Sequence, residues 1–221
     1  MEINGALFSS QFLWVVGGLY AAALYLAGRL ACWKRLLIPR QSHLFFGTVL
    51  VLSLPWLVRA YPNPDLTYHL TGATTLTLML GWSLALVASS LALVVVTLKT
   101  DASWQAFALN AWLVGLVPIT LTQVTLVLVR SLLPKQFFIY VLVNGFLTAG
   151  LAGLITGYLA SGLLAWSGAY ELGNLRHSLL PYFPLMFLPE AMLNGWIITA
   201  LVVMRPEWVD SFSDKLYLHG K

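Results

Sequence analysis

Hydrophobic positions in this chain gather into long blocks, separated by short polar knots that hold nearly all the charge. One block sets the plan. Residues 68–98 read YHLTGATTLTLMLGWSLALVASSLALVVVTL, 31 positions whose one titratable group is His69, at the entrance. A single straight helix of that length would run roughly 46 Å at ~1.5 Å per residue. A bilayer core is only ~30 Å thick and takes ~20 apolar residues. The block is therefore too long for one crossing and too short for two full ones, and it predicts a break. Gly81-Trp82 is the predicted place, because glycine is the weakest helix former here and tryptophan favours the membrane–water interface. The first leg is then short and flecked with Thr71, Thr74, Thr75 and Thr77; the second, from Trp82, is full length.

The other blocks fall into place around it. Residues 12–33 predict a first span, closed by Arg29, Lys34, Arg35 and Arg40. Ala23, Ala27 and Ala31 recur at every fourth position, which reads either as a close-packing face or as apolar filler. Residues 42–60 predict a second span weakened by Pro55, and YPNPDLT (61–67) a tight turn that delivers His69 to the membrane surface. After a polar loop at 99–103 come spans at 104–133, kinked near Pro118 and holding Asn110 and Gln123, and at 137–166. In the latter Gly145, Ala149, Gly153, Gly157 and Ser161 form a flat line that lets another backbone approach. The loop 167–177 is the largest polar connector. The last span, 178–204, carries Pro181, Pro184, Pro189, Glu190 and Asn194. The tail from Arg205 is expected to lie at the interface through Trp208, Phe212 and Leu216.

Composition narrows the class. Hydrophobic residues make up 59% of the 221, charged residues 9%, and the mean hydropathy is +0.82, which excludes a water-soluble globular domain. The ~10-residue alternation of a membrane β-barrel is missing. Cys32 is the sole cysteine, so internal disulfides and thiolate metal clusters are excluded. MEINGALFSSQ has no basic segment and is not a signal peptide, so Met1 is expected to stay, with its amine free.

Charge decides the number of crossings. With the basic first loop inside and residues 68–98 crossing once, Lys and Arg divide six against six. If they cross twice, nine lie inside and three (Arg59, Lys99 and Arg176) outside. The second arrangement obeys the positive-inside rule. The expectation is an all-α polytopic bundle of seven spans with a short third helix, N-terminus outside and C-terminus cytoplasmic. Residues 1–221 form a single transmembrane domain without internal repeats.

Ionisable groups inside a membrane are functional candidates. His69 and Glu190 qualify, with Asn110, Asn144 and Asn194 as polar residues that often bond a neighbouring helix. His69 reads as a metal ligand or as a satisfied interfacial histidine beside Tyr68. Glu190, after Pro189, reads as a proton relay or cation ligand, or as a clamp on a facing asparagine or backbone donor. His43, His177 and His219 read as solvated. HExxH, CxxC and a Walker A loop are all missing.

The stretch HLTGATTLTLMLGW resembles the motif around the metal-binding histidine of the CbiM/NikM family, the cobalt/nickel-specific membrane component of energy-coupling-factor transporters. In that family a histidine opens a short helix, a glycine follows, and a Leu-Gly pair, here Leu80-Gly81, ends it. Ala108-Leu109-Asn110 is similar to the family's Gly-Ala-Asn segment, and residues 189–209 resemble its last helix, with Glu190, Thr199 and Arg205-Pro206. The resemblance implies a metal held by the N-terminal amine, residue two and the third-helix histidine: Met1, Glu2 and His69 here. Glu2 stands where the family has histidine. Its carboxylate cannot reproduce a nitrogen-rich, square-planar set and suits a harder or more flexible ion.

The resemblance also implies a bacterial cytoplasmic-membrane protein that captures a divalent metal ion, nickel or cobalt, as its transported substrate. ATP would bind only to partners, namely two ATPases working with a transmembrane coupling subunit. The alanine line and the glycine line are candidate contact faces for those partners. Two rival readings stay open: a relative without metal binding that serves as an accessory membrane protein, and a proton-coupled carrier using Glu190 and His69. Enzymatic activity is not expected, because Ser89, Ser90 and Ser161 have no histidine at matching depth.

Overall fold

The computed structural model describes residues 1–100 and 103–217, with all side chains among them except those of Asn63, Leu172 and Ser178. His219 and Lys221 lie outside the described residues, as do two positions of the 99–103 loop. The chain is all-α apart from a small sheet. Strand β1 (Glu2–Ile3) precedes helices α1 (Ser10–Leu30) and α2 (Pro39–Leu57). Strands β2 (Ala60–Asn63) and β3 (Leu66–Tyr68) lead into α3 (Ala73–Lys99). Then come α4 (Trp104–Leu132) and α5 (Phe137–Trp166). The chain closes with α6 (Leu172–Ser178), α7 (Phe183–Met204) and α8 (Asp214–Tyr217). Five helical stretches are long and apolar enough to cross a membrane: α1, α3, α4, α5 and the run Gly173–Met204. The 19-residue α2 is more polar, with Arg40, Gln41 and His43 in its first turns.

Helix α3 is the axis: 61% of its most apolar window is buried, against 11% for α1. It breaks where the sequence predicts. Gly81 has φ 76° and ψ 165°, far outside helical geometry and open to glycine alone. The contacts on either side show the chain turning back. Before the break, Thr71 bonds Glu190 and Thr75 bonds Asn194, so residues 73–80 run parallel to α7. After it, Trp82 bonds Thr120 while Ser89 lies against Gly115, so residues 82–99 run antiparallel to α4. Helices α4 and α7 run the same way, from the sheet end of the bundle (Gly5 against Ala106, Tyr68 bonded to the Met186 carbonyl) toward Ser211, to which Arg130 donates.

The break leaves carbonyls without helical partners, which water cannot satisfy in an apolar bundle. The C-terminal tail fills the gap. Asp210 N donates to the Met79 carbonyl at 3.2 Å, Ser211 N to that of Leu78 at 3.1 Å, and Ser211 Oγ to Leu78 at 2.8 Å. Arg35 holds Asp210 at 3.1 Å, and Arg40 pairs with Glu207. Phe212 and Tyr217 are buried against Tyr140. This corrects the expectation of a tail lying at the interface, because the orphan carbonyls draw it into the bundle.

Two further expectations change, and a third, the distortion near Pro118, gains its form. The 61–67 connector is a hairpin turning at Pro64-Asp65, not a simple tight turn; its strand β3 pairs with β2 on one side and β1 on the other. The kink in α4 is a π-helical segment, Trp112–Leu116, just before Pro118. The glycine line is occupied within the chain. A Cβ at Gly153 or Gly157 would come within 2.7 Å of the Phe187 ring, and one at Gly145 within 3.4 Å of Gly195 Cα. Ala27 is likewise fully buried, with Ala23 and Ala31 packed against the same core. The glycine line is thus taken up by α7, while of the alanine line Ala27 is buried and Ala23 and Ala31 are partly exposed.

Candidate metal site

The N-terminus is a strand inserted into the bundle. Glu2 pairs with Thr67 and Ile3 with Leu66 along β3. The far edge of β1 would be unpaired, and Asn110 supplies what a third strand would. Its Oδ1 accepts from Ile3 N at 2.8 Å and its Nδ2 donates to Ile3 O at 3.3 Å. Asn4 N donates to the Asp65 carbonyl at 3.1 Å. Met1, Glu2 and Ile3 are all buried as a result.

His69 lies directly after β3, two residues beyond the pairing partner of Glu2. Its side chain is fully buried, with Nε2 3.3 Å from Glu2 Oε1. Trp56 packs on the ring at 5.3 Å between centroids and donates to the Thr71 carbonyl. On the other ring nitrogen, Nδ1 lies 3.3 Å from the Leu70 carbonyl. No hydrogen-bond partner reaches Nε2 among the described residues. A buried ring nitrogen left unsatisfied calls for an explanation.

Electrostatics favours ligand-ready forms. Burial draws the Met1 amine down from 8.0 to about 6, against the pull of Glu2 and Glu190. Burial and the amine's charge together lower His69, outweighing the opposing pull of the Glu2 carboxylate and the Leu70 carbonyl. For Glu2, burial alone would raise the carboxyl; its contact with His69 and the charges of His69, Arg59 and the amine overcome it, and the net shift is downward. The three groups therefore stand as a free amine, a neutral imidazole and a carboxylate.

Glu190 and Asn194 belong to the support of this site. The helix after Gly72 (φ 62°) has no side-chain cap of its own. Glu190 supplies one from α7, accepting from Thr71 N and Thr71 Oγ1 at 2.7 Å each, and from Gly72 N and Asn194 Nδ2 at 2.9 Å each. Asn194 Oδ1 accepts from Thr75 N at 2.9 Å and Thr75 Oγ1 at 2.8 Å. A carboxylate at a helix N-terminus complements its dipole and free N–H groups.

Glu2 and His69 thus meet, with the buried Met1 amine near enough to act on both through its charge, Asn110 holding the strand, and Glu190 and Asn194 holding the helix. Asn144 departs from expectation: it is fully buried in a π-helical segment of α5, and neither of its polar atoms has a partner among the described residues. His43 and His177 are exposed, as expected. Arg59 is the residue the sequence reading missed. Its guanidinium lies 3.1 Å from Glu2 Oε2. The available signal was its place among the three cations that the charge count leaves outside.

A bundle of apolar helices with its N-terminal strand tucked into a buried polar cluster is that of a multi-pass membrane protein. The CbiM family model, described as the cobalt uptake substrate-specific transmembrane region, matches residues 3–208. The chain belongs to this family of membrane transport components for cobalt and nickel uptake. No curated protein and no solved structure matches it. Among the described residues there is no group of three His, Cys, Asp or Glu side chains able to hold a metal, so a site built on Glu2 and His69 would need a donor of another kind, such as the N-terminal amine.

Proposed function

We propose that this protein captures a divalent transition-metal ion from outside the cell, on the Met1 amine, the Glu2 carboxylate and His69 Nε2. The observation that carries this is the orphaned Nε2, buried 3.3 Å from a carboxylate oxygen. Two ligands on an ion with ~2.1 Å bonds stand roughly 3.0–3.4 Å apart, so the spacing suits a bridging ion. Two nitrogens and one oxygen fit cobalt(II) and ions of similar flexibility; a square-planar nickel site would want more nitrogen.

The reversal of α3 at Gly81 and the charge count support seven crossings of a bacterial cytoplasmic membrane, with the N-terminus outside and the tail in the cytoplasm. In this reading the ion enters from outside, and β1 closes over it. The protein then works with a coupling subunit and two ATPases, whose ATP hydrolysis drives release inward. The four donors on Glu190 support its reading as a clamp over that of a proton carrier.

The Arg59–Glu2 pair favours a second reading, in which an internal ion pair has replaced the metal and the protein is an accessory relative. One experiment separates the two. Detergent-purified protein with an untagged N-terminus is titrated with Co²⁺, Ni²⁺, Cu²⁺, Zn²⁺ and Mn²⁺ beside a His69→Ala control. Stoichiometric binding of one ion, lost in the control while the protein stays inserted and folded, is the expected result. Absence of binding by the unmodified protein would leave the accessory reading.

A further inference from the structure

The Glu2 carboxylate is shared. Oε1 faces His69 Nε2 at 3.3 Å and Arg59 Nη2 at 3.3 Å; Oε2 meets the same Nη2 at 3.1 Å. Arg59 also donates from Nε to the Trp56 carbonyl at 3.3 Å, and its side chain is 12% exposed. The residue sits between the end of α2 and the start of β2, so its backbone is fixed by a helix on one side and a strand on the other. The other charged groups nearby are spoken for. Glu190 is saturated by donors from α3 and its own helix, and Asp65 takes Asn4 Nδ2 and the Tyr170 hydroxyl. Arg59 therefore has one carboxylate to neutralise, and it is the carboxylate offered to the substrate.

We infer that Arg59 is a tethered counter-cation: it holds Glu2 in the empty protein, has to withdraw when a metal ion binds, and thereby sets the affinity of the site. This deepens the metal-capture reading and rests on it. A dication on Oε1 would lie within a few ångströms of the guanidinium. A cation within ~4–6 Å lowers a carboxylate's affinity for a proton by roughly one to three pK units. A doubly charged ion competing for the same oxygen feels at least as much. The partial exposure of Arg59 gives it a way out, since among the described residues its carboxylate and one carbonyl are what hold it inward. Such a counter-ion spares the buried carboxylate from standing unpaired between substrates, and its return on release favours discharge of the ion.

The test is calorimetric titration of Co²⁺ into the purified, untagged protein and into Arg59→Gln and Arg59→Lys, with size-exclusion profiles confirming that each is folded. Arg59→Gln is expected to bind at least about tenfold more tightly, and Arg59→Lys within a few-fold of the unaltered protein. If Arg59→Gln binds equally or more weakly while the unaltered protein binds, Arg59 is only a brace for the N-terminus and the inference falls, with metal capture intact. If neither binds, both fall. A second measurement needs no variant: phenylglyoxal modification of Arg59, read by mass spectrometry, is expected to rise when Co²⁺ is added to the unaltered protein. Unchanged protection at saturating Co²⁺ would overturn the proposal.

Discussion

In the proposed site Met1 contributes its amine nitrogen, and that choice has a measurable consequence. With its amine drawn down to about 6 by burial, Met1 is mostly the free base at neutral pH. A metal needs the free base, so protons compete only below that value. Binding is expected to be flat from pH 7 to 8 and to fall about tenfold per unit below pH 6, as one proton must leave for each ion bound. An added residue ahead of Met1 would turn the amine into an amide and abolish binding; titration of a one-glycine extension checks this. Asn110 acts at the same scale. Asn110→Leu removes both partners of Ile3 and leaves a buried N–H and carbonyl unpaired, each costing about 1–3 kcal/mol. Lower melting temperature and faster proteolysis at the N-terminus are the expected readouts.

At the scale of elements, the broken helix holds the design together. Gly81→Ala forces a side chain into a backbone conformation that is essentially glycine's alone, at a cost of about 1–3 kcal/mol. The strain would fall on the junction that the tail caps, so a lowered melting temperature should come with easier proteolytic loss of residues beyond Arg205. The break itself was legible in the sequence, because length against bilayer thickness and a lone Gly-Trp suffice to place it. So were the spans at 104–132 and 137–166, which are continuous apolar runs. The hairpin, the capping tail and the filled glycine line were not. Each depends on a partner far along the chain: β3 on Glu2 and Ile3, Leu78 on Ser211, Gly153 on Phe187. The meeting of Glu2 and His69 near the Met1 amine entered through resemblance to a family rather than through local pattern. Arg59 stayed hidden because it lies 57 positions from the carboxylate it holds.

At the scale of the molecule, the two legs of α3 run in opposite directions, and the lone cysteine tests the proposed sidedness. Cys32 is exposed between α1 and α2, at the end where Arg35 meets Asp210. A membrane-impermeant maleimide is expected to label it only after cells are permeabilised, and a cysteine placed at Ala169 in intact cells. Labelling of Cys32 from outside would reverse the orientation. The clamp on the short helix also carries a consequence for biosynthesis. Thr71, Gly72 and Thr75 are made early, yet the acceptors for their amides, Glu190 and Asn194, are on the last long helix to emerge. Until that helix inserts, these amides have no acceptor from α7, a poor arrangement in a bilayer. The ribosome must therefore nearly finish before the short helix can hold its shape, and under the metal-capture proposal a half-made chain would not sequester metal during its own synthesis.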